Sequence, residues 1–384
     1  MGAPTIILPG AAQGPGPSSR MPAAMRPALR QTWLLGPVMF LCACSDDGSS
    51  SSGNPKSEQP HHVGSGVCAE CHEATYGDWT GSHHQLAMAE PDRETMRAPF
   101  DGETLGAGPE RSRFERSADA WIVRTPGPDG RMDEYPVRYS FGVEPLQQYL
   151  LELPGGRLQA HGAARDTRGA GAWFDLYADA RDDPADPGHW TAPARNWNHM
   201  CADCHSTAVR KGYDASTDSF TTTFAELSVG CEACHGPGSA HVAAARAGGA
   251  PVPLADLDTQ AAELGTCEPC HSRRSQLAEG FLPGAAWLDH YLPVLLEEGA
   301  YHADGQILDE VYVWGSFLQS RMHGAGVRCS DCHDPHTARV RLPGDATCTQ
   351  CHGGPRGGEF PGLAARRYDD SAHHFHPPES EGAR

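Results

Sequence analysis

The segment Cys329-Ser-Asp-Cys332-His333-Asp-Pro-His336 carries the pattern that decides the organisation of this chain. Two cysteines stand three positions apart, and a histidine directly follows the second. This is the attachment motif of c-type haem, in which both thiols form thioethers to one porphyrin and the histidine supplies an axial ligand to the iron. The motif therefore predicts a covalently bound haem at residues 329–333.

The same CxxCH pattern occurs six times and uses 12 of the 14 cysteines, and we number the copies sites 1 to 6 in chain order. The predicted thioether cysteines are Cys68, Cys71, Cys201, Cys204, Cys231, Cys234, Cys267, Cys270, Cys329, Cys332, Cys348 and Cys351. The predicted proximal ligands are His72, His205, His235, His271, His333 and His352. A disulfide scaffold or zinc sites would not require a histidine after every second cysteine. The sequence thus predicts six covalently bound c-type haems with iron.

The sites are unevenly spaced. Their first cysteines fall at positions 68, 201, 231, 267, 329 and 348, so the gaps are 133, 30, 36, 62 and 19 residues. The last five sites are too close for separate haem domains and are expected to share one core. The long gap contains alternating apolar and polar runs, which predict a small antiparallel β insert at about 105–180. The predicted fold class is mainly α with extensive loops, a multihaem cytochrome c haem-packing fold with that insert.

The remaining histidines are candidates for the second axial ligands. His336 lies three residues after His333, so it cannot cross its own haem but can reach the next one. His241 follows a Gly-Pro-Gly bend and favours the same interpretation, and one of the adjacent His83 and His84 is expected to be a ligand. Weaker candidates are His302 and, near the C-terminus, His373, His374 and His376. A methionine such as Met88 is the alternative ligand type and would raise the potential of its haem.

The N-terminal leader, residues 1–43, combines arginines with a short apolar run at 33–41. This is a secretory signal, too short to span a membrane. Its end, Leu41-Cys42-Ala43-Cys44, resembles a bacterial lipoprotein box, which implies lipidation of Cys44; an ordinary signal peptide cleaved nearby is the alternative. The leader predicts an exported protein, held as a periplasmic or outer-membrane lipoprotein of a bacterium by a lipid anchor.

The chain after the leader divides by composition. Residues 44–62 are rich in Ser and Gly and are expected to form a flexible tether. The multihaem domain is predicted at 63–376, and residues 377–384 form a C-terminal tail.

The net charge of −19 limits the classes of molecule that the protein can be expected to bind. Removing residues 1–43 takes away three arginines and no acids, which makes the charge −22. Such a surface excludes nucleic acid, whose phosphates need basic patches. It favours redox partner proteins, such as a quinol oxidase-type donor or a terminal acceptor.

Several stretches resemble a bacterial multihaem cytochrome family whose members often carry tetratricopeptide repeats at the C-terminus. The resemblance rests on Val63 to His72, Cys231 to Ser239 and Val327 to His336, and the haem pairs are similar to those of the tetrahaem cytochromes of ammonia oxidisers. It implies a mainly helical haem-packing fold and exported electron transfer. In the family, the stretch that corresponds to His373–His376 is generally followed by a further CxxCH. This chain reaches Arg384 without one, so it is either a short member or truncated before that site.

Three functions fit the sequence. In the first, the protein is a non-catalytic carrier that relays electrons through closely packed, mostly bis-histidine haems. In the second, it is an oxidoreductase that acts on a small nitrogen or sulfur compound at one open haem, with Tyr301, His302 and Asp304 as candidate catalytic residues, although these could equally contact haem propionates. In the third, it is a subunit of a haem wire. The carrier is the favoured interpretation, since abundant histidines predict bis-histidine haems.

Overall fold

The computed structural model describes residues 59–352, apart from 107–110, 118–119, 170, 179–182, 304, 310 and 345. The predicted leader with Cys44 and most of the tether lie outside these residues, as do Asp304 and the histidines near the C-terminus. All elements below belong to the unit of the chain that begins at Pro60. No helix in this described part is long and apolar enough to cross a membrane.

The largest element is an antiparallel sheet of eight strands. Its strands are β1 (Met88–Ala89), β2 (Asp101–Leu105), β3 (Ser112–Ser117), β4 (Ala120–Pro126), β5 (Met132–Phe141), β6 (Leu146–Leu153), β7 (Arg157–Asp166) and β8 (Ala172–Asp175). Strands β2 to β8 pair in sequence order, and β1 pairs with the end of β5. Alternation explains the strands: in β4, Trp121, Val123 and Thr125 are buried, while Arg124 is exposed.

The sheet curls until its two ends meet. The Trp173 indole N–H of β8 donates a hydrogen bond to the Glu103 carboxylate of β2 at 2.6 Å, and Arg165 reaches the same carboxylate at 3.3 Å. The rings of Phe114 and Trp173 stack with their centroids 3.7 Å apart. The interior is therefore an aromatic core, in which Phe114 and Tyr149 are fully buried.

The other elements are short. Three two-stranded sheets pair β9 (Tyr213–Asp214) with β10 (Ser219–Phe220), β11 (Arg274–Gln276) with β12 (Tyr291–Pro293), and β13 (His333–Asp334) with β14 (Arg339–Val340). The α-helices are α1 (Ser65–Cys68), α2 (Glu73–Trp79), α3 (Trp197–Met200), α4 (Ala202–His205), α5 (Cys231–His235), α6 (Ser239–Arg246), α7 (Gln260–His271), α8 (Trp314–Leu318), α9 (Arg321–Gly324), α10 (Cys329–Cys332) and α11 (Ala346–Thr349). Single 3₁₀ turns occur at Pro193–Arg195 and Trp287–Asp289.

The predicted fold class, mainly α, is wrong. Helix accounts for only 24% of the described residues, and the antiparallel sheet is the dominant structure among them. The physical reason is that a CxxCH motif needs little more than one helical turn to place both cysteines on one side. The motif helices accordingly stay short, except for the twelve residues of α7.

The outer face of the sheet holds site 2. The side chains of Met88, Phe141, Leu150, Trp197 and Ala202 form one buried cluster, against which Cys201 packs. Asn198 fixes the approach to this site, because its carbonyl oxygen accepts the backbone N–H of Leu158 in β7 at 2.8 Å. The sheet thus serves as a platform for the first residues of the closely spaced CxxCH sites.

Candidate haem sites

The CxxCH motifs occupy helical turns. Helix α5 spans Cys231–His235, α7 ends at His271 and α10 spans Cys329–Cys332. Residues three apart share one side of such a turn, so each pair of sulfurs faces the same way. None of the twelve cysteines in the described residues forms a disulfide. The geometry fits attachment of one porphyrin to each pair.

Three proximal histidines face a second imidazole. The ring centroids are 6.3 Å apart for His72 and His241, 6.3 Å for His271 and His84, and 6.4 Å for His235 and His336. An iron between two imidazoles would separate their centres by about 6 Å, because each metal–nitrogen bond is about 2 Å and each nitrogen lies about 1 Å from its ring centre. The side chains at sites 1, 3 and 4 therefore fit bis-histidine haem.

The hydrogen bonds of these imidazoles support the same arrangement. The Nδ1 atom of His84 lies 3.1 Å from the Pro335 carbonyl oxygen, and that of His241 lies 2.9 Å from the Val252 carbonyl oxygen. A carbonyl only accepts, so Nδ1 carries the hydrogen and Nε2 keeps its lone pair for a metal. Burial lowers the pKa of His84, and likewise that of His235 and His271. Burial thus favours the neutral form, which binds iron, for His84, His235 and His271.

The structure separates candidates that the sequence left together. His84 faces His271, whereas His83 is exposed. His336 faces the proximal histidine of site 3, although site 4 lies between sites 3 and 5 in the chain. His302 is exposed, and its backbone N–H donates to the Gln306 carbonyl at 2.8 Å. Tyr301 is buried in a small cluster with Ala300 and Val311.

Site 2 has a different environment. The Nδ1 atom of His205 lies 3.3 Å from the Ala87 carbonyl oxygen, and the Phe141 ring meets His205 edge-on at 5.7 Å between centroids. Burial lowers the pKa of His205. Within the described residues, no imidazole is placed opposite this ring at the spacing found for sites 1, 3 and 4.

Cysteines of different sites lie side by side. The pairs within hydrogen-bonding distance are Cys68 with Cys231, Cys204 with Cys270, and Cys267 with Cys329. Cys234 lies near Cys267 and Cys270, and Cys332 lies near Cys348 and Cys351. In a haem-loaded protein these thiols would be thioether sulfurs. The spatial order of the sites is therefore 1–3–4–5–6, with site 2 attached to site 4.

The sequence interpretation missed the charged groups between the sites. Glu232, Glu263 and Asp203 are buried where two sites meet. The available signal was weak, since Glu232 and Asp203 stand between the cysteines of a motif, but so does Glu70, which is exposed. Only the fold distinguishes them.

Part of the chain matches a known family of cytochromes. Residues 67–105 and 181–236, which contain sites 1 to 3, match the family described as cytochrome c554 and c-prime. No curated protein matches the chain.

Solved structures that resemble the chain include three multihaem proteins. The outer cell wall cytochrome OcwA shares 20% identity with a TM-score of 0.53, over 76% of this chain and 67% of that chain. The undecahaem cytochrome from the S-layer of Carboxydothermus ferrireducens shares 17% identity (TM-score 0.41, 76% and 43% covered). The octahaem sulfite reductase MccA of Wolinella succinogenes shares 16% identity (TM-score 0.33, 77% and 51% covered). The chain spans about half or less of these last two proteins.

Proposed function

Because the chain is a multihaem c-type cytochrome, we propose that it binds six haems and relays electrons through them between a donor and an acceptor outside the cytoplasm. Haem iron supplies the one-electron chemistry. The observation that carries the proposal is the close approach of cysteines from different sites, as for Cys68 with Cys231, Cys204 with Cys270 and Cys267 with Cys329. Porphyrins attached to adjoining sulfurs are close enough to exchange electrons directly.

The proposed axial ligands cover three of the six sites. His241, His336 and His84 are assigned as second ligands of sites 1, 3 and 4, because each faces the proximal imidazole at the separation that an intervening iron requires. His302 and His374 stay predictions for the remaining sites. Two neutral nitrogen ligands favour low-potential haem.

The proposed partners follow from charge and location. The acidic chain suits a basic or metal-rich redox partner, of the quinol oxidase-type donor or terminal acceptor class. Export rests on the N-terminal leader, and lipidation at Cys44 would tether the protein to a membrane surface. The similarity to an outer cell wall cytochrome supports a place outside the cytoplasm.

One experiment tests the count and the relay together. Intact mass of the purified protein should exceed that of the processed chain by six haems, and low-temperature EPR of the oxidised sample should show low-spin haem for sites 1, 3 and 4. A smaller mass excess would contradict the count. High-spin signals dominating the spectrum would contradict the bis-histidine assignment.

A second candidate function is favoured by one observation at site 2. His205 has the edge of Phe141 as its ring neighbour and no facing imidazole in the described part of the chain. An open position on that haem would allow a small nitrogen or sulfur compound to bind. A high-spin minority signal that shifts on adding nitrite, hydroxylamine or cyanide would support this function, whereas a fully low-spin spectrum would reject it.

Replacement of adjacent histidines tests the ligand assignment. His84→Ala should convert one low-spin haem to the high-spin form, because the imidazole that faces His271 is removed. His83→Ala is the matched control, since His83 is exposed and its loss should leave the EPR spectrum unchanged. Equal spectra for the two variants would show that His84 is not a ligand.

A further inference from the structure

A buried carboxylate joins sites 1 and 3. Glu232 stands between the two cysteines of site 3 and is only 2% exposed. Its oxygens accept backbone N–H groups of Val63 at 2.9 and 3.0 Å, Gly64 at 2.8 Å and Gly238 at 2.7 Å. Val63 and Gly64 directly precede α1, which carries the first cysteine of site 1. The carboxylate therefore ties the approach to one haem site to the interior of another motif.

Ser65 strengthens the same junction. The Cys231 backbone N–H donates to the Ser65 hydroxyl oxygen at 2.9 Å, and that hydroxyl donates to the Glu226 carboxylate at 2.8 Å. Ser65 as a whole is only 2% exposed. Site 1 is thus attached to site 3 by backbone N–H groups from both segments: those of Val63 and Gly64 donate to Glu232, and that of Cys231 donates to Ser65. The joined residues are more than 160 positions apart in the sequence.

A second buried carboxylate joins sites 4 and 5. Glu263 lies in α7, one turn before Cys267, and is 7% exposed. It accepts the Ser330 backbone N–H and the Ser330 hydroxyl, each at 2.7 Å, and the Arg328 Nε–H at 2.7 Å. Ser330 stands between the cysteines of site 5. As in the first junction, a buried carboxylate near one motif accepts hydrogen bonds from residues of another. Here the carboxylate precedes its own motif in α7, whereas Glu232 lies within its motif.

A third carboxylate lies between sites 2 and 4. Asp203, inside the motif of site 2, lies 3.5 Å from Nη1 of Arg274, and both side chains are more than 90% buried. The Arg274 Nε–H donates to the Pro269 carbonyl, inside the motif of site 4, at 2.7 Å, and Nη2 lies 3.5 Å from the Cys204 sulfur. Lys211 adds a second cation 3.9 Å from Asp203.

Acidic residues at similar motif positions behave differently when they are exposed. Glu70, between the cysteines of site 1, is exposed and forms an ion pair with exposed Arg246 at 2.7 Å. Such surface pairs contribute little because water screens them. A carboxylate that is buried and satisfied by backbone N–H groups, by contrast, fixes its donors strongly, since unpaired groups there would be costly.

We infer that Glu232, Glu263 and Asp203 are positioning residues that hold neighbouring haems at fixed separation, and that Glu232, which is satisfied by backbone N–H groups, also lowers the reduction potentials of the haems at sites 1 and 3. This inference rests on the proposed function, because it requires the haems to be attached. The first effect follows from hydrogen bonds that reach from one motif to the next. The second follows from charge, since a buried negative group near a thioether favours the ferric form over the more electron-rich ferrous form.

The Glu232→Gln variant tests the inference at sites 1 and 3. Glutamine keeps the shape, but it removes the charge and points an NH₂ group at backbone donors. The variant should retain every haem by intact mass. A spectroelectrochemical titration should show a rise in potential for one pair of haems, and EPR should show weaker magnetic interaction within that pair. The other haems should titrate as in the wild-type protein.

The matched control is Glu70→Gln. It removes the same charge from site 1, but at the solvent-exposed side, and should leave the titration and the magnetic interaction unchanged. Equal effects of the two substitutions, or no effect of Glu232→Gln, would overturn the inference. If Glu232→Gln loses the haem of site 1, the Glu263→Gln variant supplies the test of positioning at sites 4 and 5, with intact mass and magnetic interaction as the readouts. Changes at haems remote from the altered carboxylate would contradict positioning.

Failure of the inference is separable from failure of the relay. These titrations are equilibrium measurements that compare a variant with the wild-type protein and need no transfer to a partner. A wild-type protein that carries fewer than six haems would reject the proposed function, whereas six haems with an unresponsive Glu232→Gln variant would reject only the positioning role.

Discussion

Removing site 4 should divide the protein into separate redox groups. Cys267→Ser combined with Cys270→Ser removes the attachment point that adjoins sites 2, 3 and 5. Sites 1 and 3 would remain together, as would sites 5 and 6, and site 2 would lose its neighbour. After rapid addition of less reductant than the haems can accept, redistribution of electrons among these three groups should be slower than in the wild-type protein.

Deletion of an end site is the control for that experiment. Cys348→Ser with Cys351→Ser also removes one haem, but from the end of the spatial order, so the remaining haems keep their neighbours. Stopped-flow spectroscopy of both variants should show slowed redistribution for the site 4 deletion alone. If the two deletions slowed it equally, site 4 would not be the junction of the relay.

Acid should destabilise the curled sheet through one histidine. His161 in β7 is fully enclosed, and burial, with a smaller effect of nearby His189, lowers its pKa to about 3 from an ordinary value near 6.5. Its Nδ1 accepts the Ala163 backbone N–H at 3.2 Å, and its Nε2 lies 3.3 Å from the Thr125 hydroxyl. The folded protein therefore holds this imidazole neutral, because burial makes its protonated form unfavourable.

The sign of the pH effect follows from proton binding. Above about pH 6.5 the imidazole is neutral in both the folded and the unfolded state, so it does not change the free energy of unfolding with pH. At lower pH only the unfolded chain takes up the proton. The free energy of unfolding should therefore fall by about 1.4 kcal/mol per pH unit, and by about 4–5 kcal/mol in all as the pH approaches 3. Urea unfolding midpoints measured between about pH 7 and pH 4 check this.

A His161→Asn variant isolates the contribution of this residue. The Asn oxygen can accept the Ala163 N–H, but the variant has no imidazole to titrate. It should be less stable than the wild-type protein at pH 7, by about 1–2 kcal/mol, because the Thr125 contact and some packing are lost. Its stability should change much less between pH 6.5 and pH 4. Parallel loss in both proteins would assign the acid sensitivity to other groups.

Much of the site could be predicted from local sequence. The CxxCH motif is self-contained, because two cysteines and a histidine within five residues define one attachment point. The strand runs were also visible, since alternation at Trp121, Val123 and Thr125 is a property of neighbouring residues. The predicted fold class, mainly α, is wrong because attachment of a haem needs only a turn, so the motifs do not require long helices.

The partners of each site could not be predicted, because they depend on distant contacts. His336 follows the site 5 motif but faces His235 of site 3, and His84 faces His271, which lies more than 180 residues later in the chain. Glu70 and Glu232 occupy similar motif positions, yet one is exposed and the other buried. The fold determines which of these acids is buried, and only the buried one accepts hydrogen bonds from a neighbouring site.

The junction of residues 63–64 with Glu232 has a consequence for how the chain folds. The hydrogen bonds between the Glu232 carboxylate and the backbone of Val63 and Gly64 join residues more than 160 positions apart. Closing a loop of that length costs conformational entropy, so these bonds should form after the local turns of the two motifs. The N-terminal end of the described domain is therefore expected to be among the last parts to reach the native structure.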